Sequence, residues 1–292
     1  MTLRRLRHGL EAGAAWLGFG LLGSMPRRWA SALGGALARH IGPWLPVSDV
    51  ARRNIARALP GLDKRAIERI VAGMWDNLGR TVAEYAHLGA IDCFASGGPV
   101  EVVGAEALAP LRDAGRTVVF VSAHFGNWEI ASLAAGQFGM PIHHVYRRAG
   151  NPGIDRMIQR FRGATLGVYH PKGGAGTREL VRAVKRGQHL GMLLDQKLNE
   201  GIAIPFFGRP AMTAPALAEL AIRYALAVVP ARVERLAGTR FRVTAFPPLP
   251  LPASGDNEAD VRALLLAINR TFEAWIRERP DHWLWLHRRW ED

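Results

Sequence analysis

Between residues 117 and 231 short apolar runs alternate with helical stretches, and this alternation limits the possible folds more than any other feature of the chain. Thr117–Ser122 is of strand length and rich in β-branched residues. Ile142–Tyr146, Leu190–Leu194 and Ala227–Ala231 follow the same pattern. Bounded runs of this kind predict strands. Helical stretches at 128–137, 152–166, 177–186 and 215–225 separate or follow them. Strands alternating with helices predict an α/β fold with a mainly parallel sheet flanked by helices. Residues 240–246 alternate polar and apolar, as a half-exposed strand does, and 259–279 predict one further long helix. Upstream, residues 48–92 read as amphipathic helix, with Val50, Ile55, Leu59, Ile67, Ile70, Val71 and Met74 near helical spacing. Asp63 is placed as a helix N-cap. Gly97-Gly98-Pro99 is the clearest internal boundary, and the proline-rich 247–252 reads as a stiff connection.

The N-terminus has a different character. Arg4, Arg5 and Arg7 precede an uncharged run from Ala12 to Met25, and Arg27 and Arg28 follow Pro26. As a helix this run spans about 21 Å, short of the roughly 30 Å of a hydrocarbon core. A second weakly polar stretch, Trp29–Ala38, follows a proline placed at a helix start. Two short apolar helices with arginine flanks predict a membrane-associated segment over residues 1–45, lying in one leaflet with the arginines at the headgroups. The remainder, 46–292, forms the second segment. A tilted span, a secretory signal peptide ending near Ala30-Ser-Ala32 and an ordinary buried helix are the competing readings.

The chain carries 38 lysines and arginines against 25 acidic residues, a net charge of +13. Such a surface attracts acidic partners: nucleic acid, anionic lipid or an acidic carrier protein. The arginines are spread along the chain with no recognition motif, so a nucleic-acid partner is not expected. Arg178, Arg182, Lys185 and Arg186 fall at spacings of three and four, on one helix face. That face suits an acidic protein, anionic headgroups or solvent. The single cysteine, Cys93, excludes a disulfide framework and a cysteine-rich zinc site.

In open α/β sheets ligands bind beyond the carboxyl ends of the strands. The first strand leads into Ser122-Ala-His124-Phe-Gly126-Asn127-Trp-Glu129. A histidine leaving a buried strand can act as a general base when a carboxylate fixes its tautomer. Glu129, in the first turn of the following helix, is the carboxylate nearest in sequence. The plainer reading is a strand-end histidine capping the helix beside an unrelated glutamate. The second strand ends in Tyr146-Arg147-Arg148 and the third in Asp195-Gln196-Lys197. An arginine at such a position can bind a phosphate or polarise a carbonyl. A solvated basic pair and a helix cap are the alternatives there. No Gly-x-Ser-x-Gly elbow occurs, so a serine hydrolase is not expected.

Taken together, these blocks resemble the lipid A late acyltransferases, the lauroyl/myristoyl acyltransferases of Gram-negative bacteria. Ser122–Glu129 is similar to their His-x-x-x-x-Glu block. In order along the chain, Asn77-Leu-Gly-Arg80 with Glu84-Tyr85, Tyr146-Arg147 with Asn151-Pro152, and Asp195-Gln196 also match. Pro205-Phe-Phe-Gly208 with Thr213, then Pro280, Trp283, Trp285 and His287-Arg-Arg289, complete the resemblance. It runs from about residue 50 to the C-terminus.

The resemblance implies a glycerolipid-acyltransferase-type α/β fold on the cytoplasmic face of the inner membrane. It implies transfer of a fatty acyl chain from acyl carrier protein to a hydroxyl of a lipid A precursor. His124 would deprotonate that hydroxyl and Glu129 would orient His124. Gly126 and Asn127 would shape the turn and offer donors near the oxyanion. Arg147, Asp195 and Gln196 would place the phosphorylated acceptor or the donor's phosphopantetheine. No metal, cofactor or covalent enzyme intermediate is implied, and Cys93 lies outside every block. Tyr146-Arg147-Arg148-Ala149 departs from the family pattern at the residue after the arginine, where the family often has proline. Another membrane glycolipid, including a mannosylated phosphatidylinositol, is therefore an alternative acceptor, and a non-catalytic membrane scaffold is the alternative to an enzyme.

Overall fold

A computed structural model describes residues 3–291; Met1, Thr2 and Asp292, at the ends of the two expected segments, lie outside it. Four helices open the chain: α1 (Leu3–Ser24), α2 (Arg27–Ile41), α3 (Ser48–Ala58) and α4 (Lys64–Glu84). Asp63 caps α4, accepting from the Ala66 N–H at 2.6 Å. The α/β part follows as β1 (Val100–Val103), α5 (Ala109–Asp113), β2 (Val118–Ser122), α6 (Glu129–Gln137), β3 (Ile142–Tyr146) and α7 (Pro152–Arg162). It continues through β4 (Val168–Pro171), α8 (Gly174–Lys185), β5 (His189–Leu193), β6 (Ile202–Phe206), β7 (Arg209–Thr213) and α9 (Ala216–Arg223). It closes with β8 (Ala227–Ala237), β9 (Arg240–Ala245) and α10 (Asn257–Glu278).

Seven strands form one sheet in the order β1-β9-β8-β2-β5-β3-β4. All neighbours are parallel except β8 and β9. The expected α/β class with a mainly parallel, helix-flanked sheet is what the chain adopts. Strand β2 is central and buried along its whole length. Its side chains alternate between two layers. Val119 and Val121 enter the larger core with Leu190, Val228, residues of α9 and α10, and Ile55 and Met74 of α3 and α4. Val118 and Phe120 face the other way, with Ile142, Met140 and Leu108. The helical 48–92 region thus shares a core with the sheet.

Two features of the strands were not visible in the hydrophobic pattern. Strands β1 and β4 are four residues each. Strands β6 and β7 form a separate antiparallel ribbon in which Pro205 and Pro210 sit opposite each other. Proline removes a ladder donor and hides a strand from periodicity arguments.

The N-terminal helices are docked as well as exposed. Helix α2 crosses α4 where Gly34 meets Gly79; a Cβ on Gly34 would lie 2.5 Å from the Gly79 carbonyl oxygen. Helix α1 lies on α7, with Phe19 and Phe161 ring centroids 5.2 Å apart. The Asn151 amide donates to the His8 carbonyl and to Glu11. The outward faces carry Leu10, Leu17 and Leu21 on α1 and Trp29, Leu33, Leu37 and Ile41 on α2, followed by Trp44, which is 87% exposed. No helix among the described residues is long and apolar enough to cross a membrane.

Candidate active site

The site grows from the carboxyl ends of β2 and β5. These strands pair in parallel, with Ser122 opposite Leu193. Carrying that register two residues further brings His124 level with Asp195. The Nδ1 of His124 lies 2.9 Å from Oδ1 of Asp195. The other carboxylate oxygen accepts the His124 backbone N–H at 3.0 Å and the Trp283 indole N–H at 2.7 Å. Asp195 is buried. Burial alone would push its pKa up, but the His124 imidazole, the two N–H donors from His124 and the Trp283 indole hold it well below the usual carboxylate range. An ionised Asp195 accepts the Nδ1 proton of His124, which leaves Nε2 with a lone pair.

The turn after β2 is held rigidly. Gly126 has φ +59°, and a Cβ there would lie 2.1 Å from the Val233 carbonyl oxygen, so the position needs glycine. The Gly126 N–H donates to the His282 carbonyl at 2.9 Å, and the Leu284 N–H donates to the His124 carbonyl at 3.0 Å. The Gly126 carbonyl accepts from the Asn77 amide at 2.9 Å. Residues 282–284 therefore grip the turn from one side and α4 from the other.

Glu129 does not touch His124, which corrects the expectation that it orients the base. It forms an ion pair with Arg162 at 2.7 Å and accepts from the Tyr85 hydroxyl at 2.6 Å and the Trp128 indole at 3.0 Å. The pair is buried; burial opposes the Glu129 charge, but Arg162 and Tyr85 keep its pKa below the ordinary glutamate value. The physical reason is topological. Asp195 reaches His124 across a strand ladder, whereas Glu129 starts a helix beside α7. Two other expected roles are corrected too. The Asn127 amide is fully buried and donates to Glu84 at 2.8 Å, and the Gly126 N–H is bound to His282, so neither donor faces the base. Asp195 stands behind His124 rather than in the substrate space.

That space is a cavity of about 870 Å³ between α6 and the sheet. His124, Trp128, Gln196 and His287 line it near the strand ends. Its inner arm is apolar, bounded by Val102, Leu108, Phe120, Phe138, Met140 and Val243. Helix α6 presents Ala131, Ala134 and Ala135 to it. Three small side chains at spacings of three and four leave room where larger ones would fill the layer. Arg147, Lys172 and Lys197 border the cavity on its basic side, together with Gly174 and Thr177 of α8. Cys93 is buried elsewhere, its thiol pushed up to about 12, far from a reactive thiolate.

A histidine–aspartate pair beside a largely apolar cavity suits the delivery of a lipid chain to a hydroxyl. A family model for bacterial lipid A biosynthesis acyltransferases matches residues 2–292. The chain belongs to the bacterial lipid A biosynthesis acyltransferase family. As a member of that family it is an acyltransferase of the O-acyl type. It is also similar to a phosphatidylinositol mannoside acyltransferase of Mycolicibacterium smegmatis (strain ATCC 700084 / mc(2)155). The two are 25% identical over 282 residues, which cover 94% of this chain and 89% of the relative. In this lipid A acyltransferase family member, His124, Arg147 and Gln196 all line the cavity. His287 and Trp283 come from the C-terminal segment, 91 and 88 residues from the groups they bind. The tryptophan- and histidine-rich ending was the sequence signal available for them.

Proposed function

We propose that the protein moves a fatty acyl chain from acyl carrier protein to a hydroxyl of a lipid A precursor, at the cytoplasmic face of the inner membrane. The observation that carries this reading is the position of His124, with Asp195 behind it and the apolar cavity in front. His124 Nε2 takes the proton of the acceptor hydroxyl, and Asp195 supports the imidazolium that forms. The alkoxide oxygen bonds to the thioester carbonyl carbon. The tetrahedral intermediate collapses, the carbon–sulfur bond breaks, and the departing thiolate takes the proton from His124. The apolar arm holds the acyl chain.

The exposed arginines of α8, whose first turn borders the cavity, support an acidic protein as donor. The outward apolar stripe of α1 and α2, flanked by Arg4, Arg5, Arg27 and Arg28, supports a helical pair resting on an anionic lipid surface. A mannosylated phosphatidylinositol is the second acceptor, favoured by the relative of that activity.

The test incubates the protein with acyl carrier protein loaded with a dodecanoyl or hexadecanoyl chain and with each acceptor in turn. Mass spectrometry of the glycolipid should show the gain of one acyl chain on the lipid A precursor. Gain on the mannoside alone would replace the acceptor, and gain on neither would overturn the reading.

A further inference from the structure

We infer that the Gln196 side-chain amide donates the hydrogen bond that stabilises the thioester oxyanion, and that His287 is the positioning residue holding this amide beside the base. The inference rests on the acyl-transfer reading above and names groups which that reading leaves without a role.

The amide nitrogen of Gln196 lies 3.1 Å from Nε2 of His124 and 2.7 Å from Nε2 of His287. The same nitrogen lies 3.4 Å from Nδ1 of His124, so it sits against the imidazole ring and off the axis of the Nε2 lone pair, which stays open. One amide hydrogen is directed to His287. Burial, and the neighbouring His124 after it, push the His287 pKa down to about 4, so this ring is neutral near pH 7 and its Nε2 accepts. The amide thus donates one N–H to the His287 lone pair and keeps the other beside the His124 ring.

An acceptor hydroxyl reaches the open Nε2 lone pair of His124 while the amide stays bound to His287. The second amide N–H, beside the reacting atoms, is directed to the negative oxygen forming on the thioester carbon. Once His124 has taken the hydroxyl proton, the imidazolium repels this N–H and favours that direction. No atom is gained or lost beyond the transfer itself.

Other donors near the turn are engaged. The His124 N–H is bound to Asp195, the Gly126 N–H to His282, and the Asn127 amide to Glu84. The Trp128 indole is bound to Glu129, and Lys197 pairs with Glu291 at 3.2 Å. Gln196 lines the cavity and follows Asp195 directly, so its backbone is fixed by the same strand end that fixes the base.

The experiment measures thiol release and acyl transfer from dodecanoyl-pantetheine to the acceptor, with His124→Ala, Gln196→Ala, His287→Phe and Gln196→Ala/His287→Phe. Gln196→Ala should lower kcat about 10²–10³-fold, as loss of one oxyanion donor does, with KM for the thioester unchanged. His287→Phe should lower kcat about tenfold, the order of one neutral hydrogen bond, again at constant KM. The double variant should be no slower than Gln196→Ala, because His287 acts through the amide. Gln196→Met, which keeps the shape without a donor, replaces Gln196→Ala if the latter does not fold. A raised KM with kcat intact would make Gln196 a binding group and overturn the inference. Multiplying losses in the double variant would overturn the role of His287. If His124→Ala itself stays active, the base reading fails instead.

Discussion

His124 and Asp195 stand 71 residues apart in sequence, yet their side chains meet at 2.9 Å because each lies two residues beyond registered strands β2 and β5. The pair is built by sheet register and fastened by the Trp283 indole on the second carboxylate oxygen. His124→Ala should therefore abolish transfer while leaving the fold intact, and Asp195→Asn should lower kcat severely, each by about 10²–10⁴-fold. Steady-state transfer together with circular dichroism checks both. Activity of His124→Ala within threefold of the parent enzyme would remove the imidazole from the mechanism.

Glu129→Gln should act on stability more than on the base. Removing one partner of a buried ion pair costs roughly 3–5 kcal/mol, because the other charge stays buried alone. Arg162 would be that charge, and Glu129→Gln/Arg162→Met should recover part of the loss in a denaturant titration.

The same pair sets an acid limb of stability. The folded pKa of Glu129 lies below its unfolded value, which is about 4.3. The unfolded state therefore binds more protons as pH falls through that region. The Glu129 contribution is complete above the unfolded value and is lost as pH drops towards the folded one. Denaturation midpoints between pH 7 and pH 3 should fall more steeply for the parent protein than for Glu129→Gln. Parallel curves would deny the pair this role.

The alanines of α6 should act as a gauge of chain length. Ala135→Phe fills space beside Phe120 and Phe138, and overpacking of this kind costs about 1–3 kcal/mol. With a series of acyl thioesters, the preferred chain should shorten. An unchanged preference would place the acyl chain outside the inner arm.

The apolar stripe of α2 should bind lipid. Full burial of a leucine is worth about 1.5–3 kcal/mol, so Leu33→Glu/Leu37→Glu should weaken flotation with anionic vesicles at least about tenfold. Both side chains face outward and leave the Gly34–Gly79 crossing untouched. Equal flotation of parent and variant would move the contact to another surface.

A carrier-protein donor should be salt-sensitive. The Debye length falls from about 10 Å at 0.1 M to about 3 Å at 1 M, so KM for the acylated carrier protein should rise with salt. Arg178→Glu/Lys185→Glu should raise KM at low salt and flatten that dependence. A KM indifferent to both changes would take α8 out of the docking surface.

The sheet was legible where local chemistry and tertiary structure agree. Runs such as Val118–Ser122 are buried on both sides, so their composition alone marks them. Strands β6 and β7 were hidden by Pro205 and Pro210, tolerated because each ribbon edge needs fewer ladder donors. Helix α8 starts at Gly174, earlier than its glycine-rich opening suggests, since packing outweighs the low helix propensity of glycine. In the site, strand-end logic names His124, Arg147, Asp195 and Gln196; the fold brings His124, Arg147 and Gln196 to one cavity and sets Asp195 behind the imidazole. Proximity in sequence assigns the carboxylate to Glu129, whereas sheet register brings Asp195 to the imidazole. Arg162, 33 residues after Glu129, is a non-local partner that no spacing rule predicts.

The grip of residues 282–284 on the turn at 124–126 ties the histidine to the core. Strands β1–β9 and helices α1–α10 all precede residues 282–290, which supply the indole that fastens Asp195 and the ring that holds Gln196. The same stretch buries Trp283, Trp285 and Trp290 in the larger core. A change that loosens it reaches the imidazole and the core together, so loss of activity and loss of stability should travel as one.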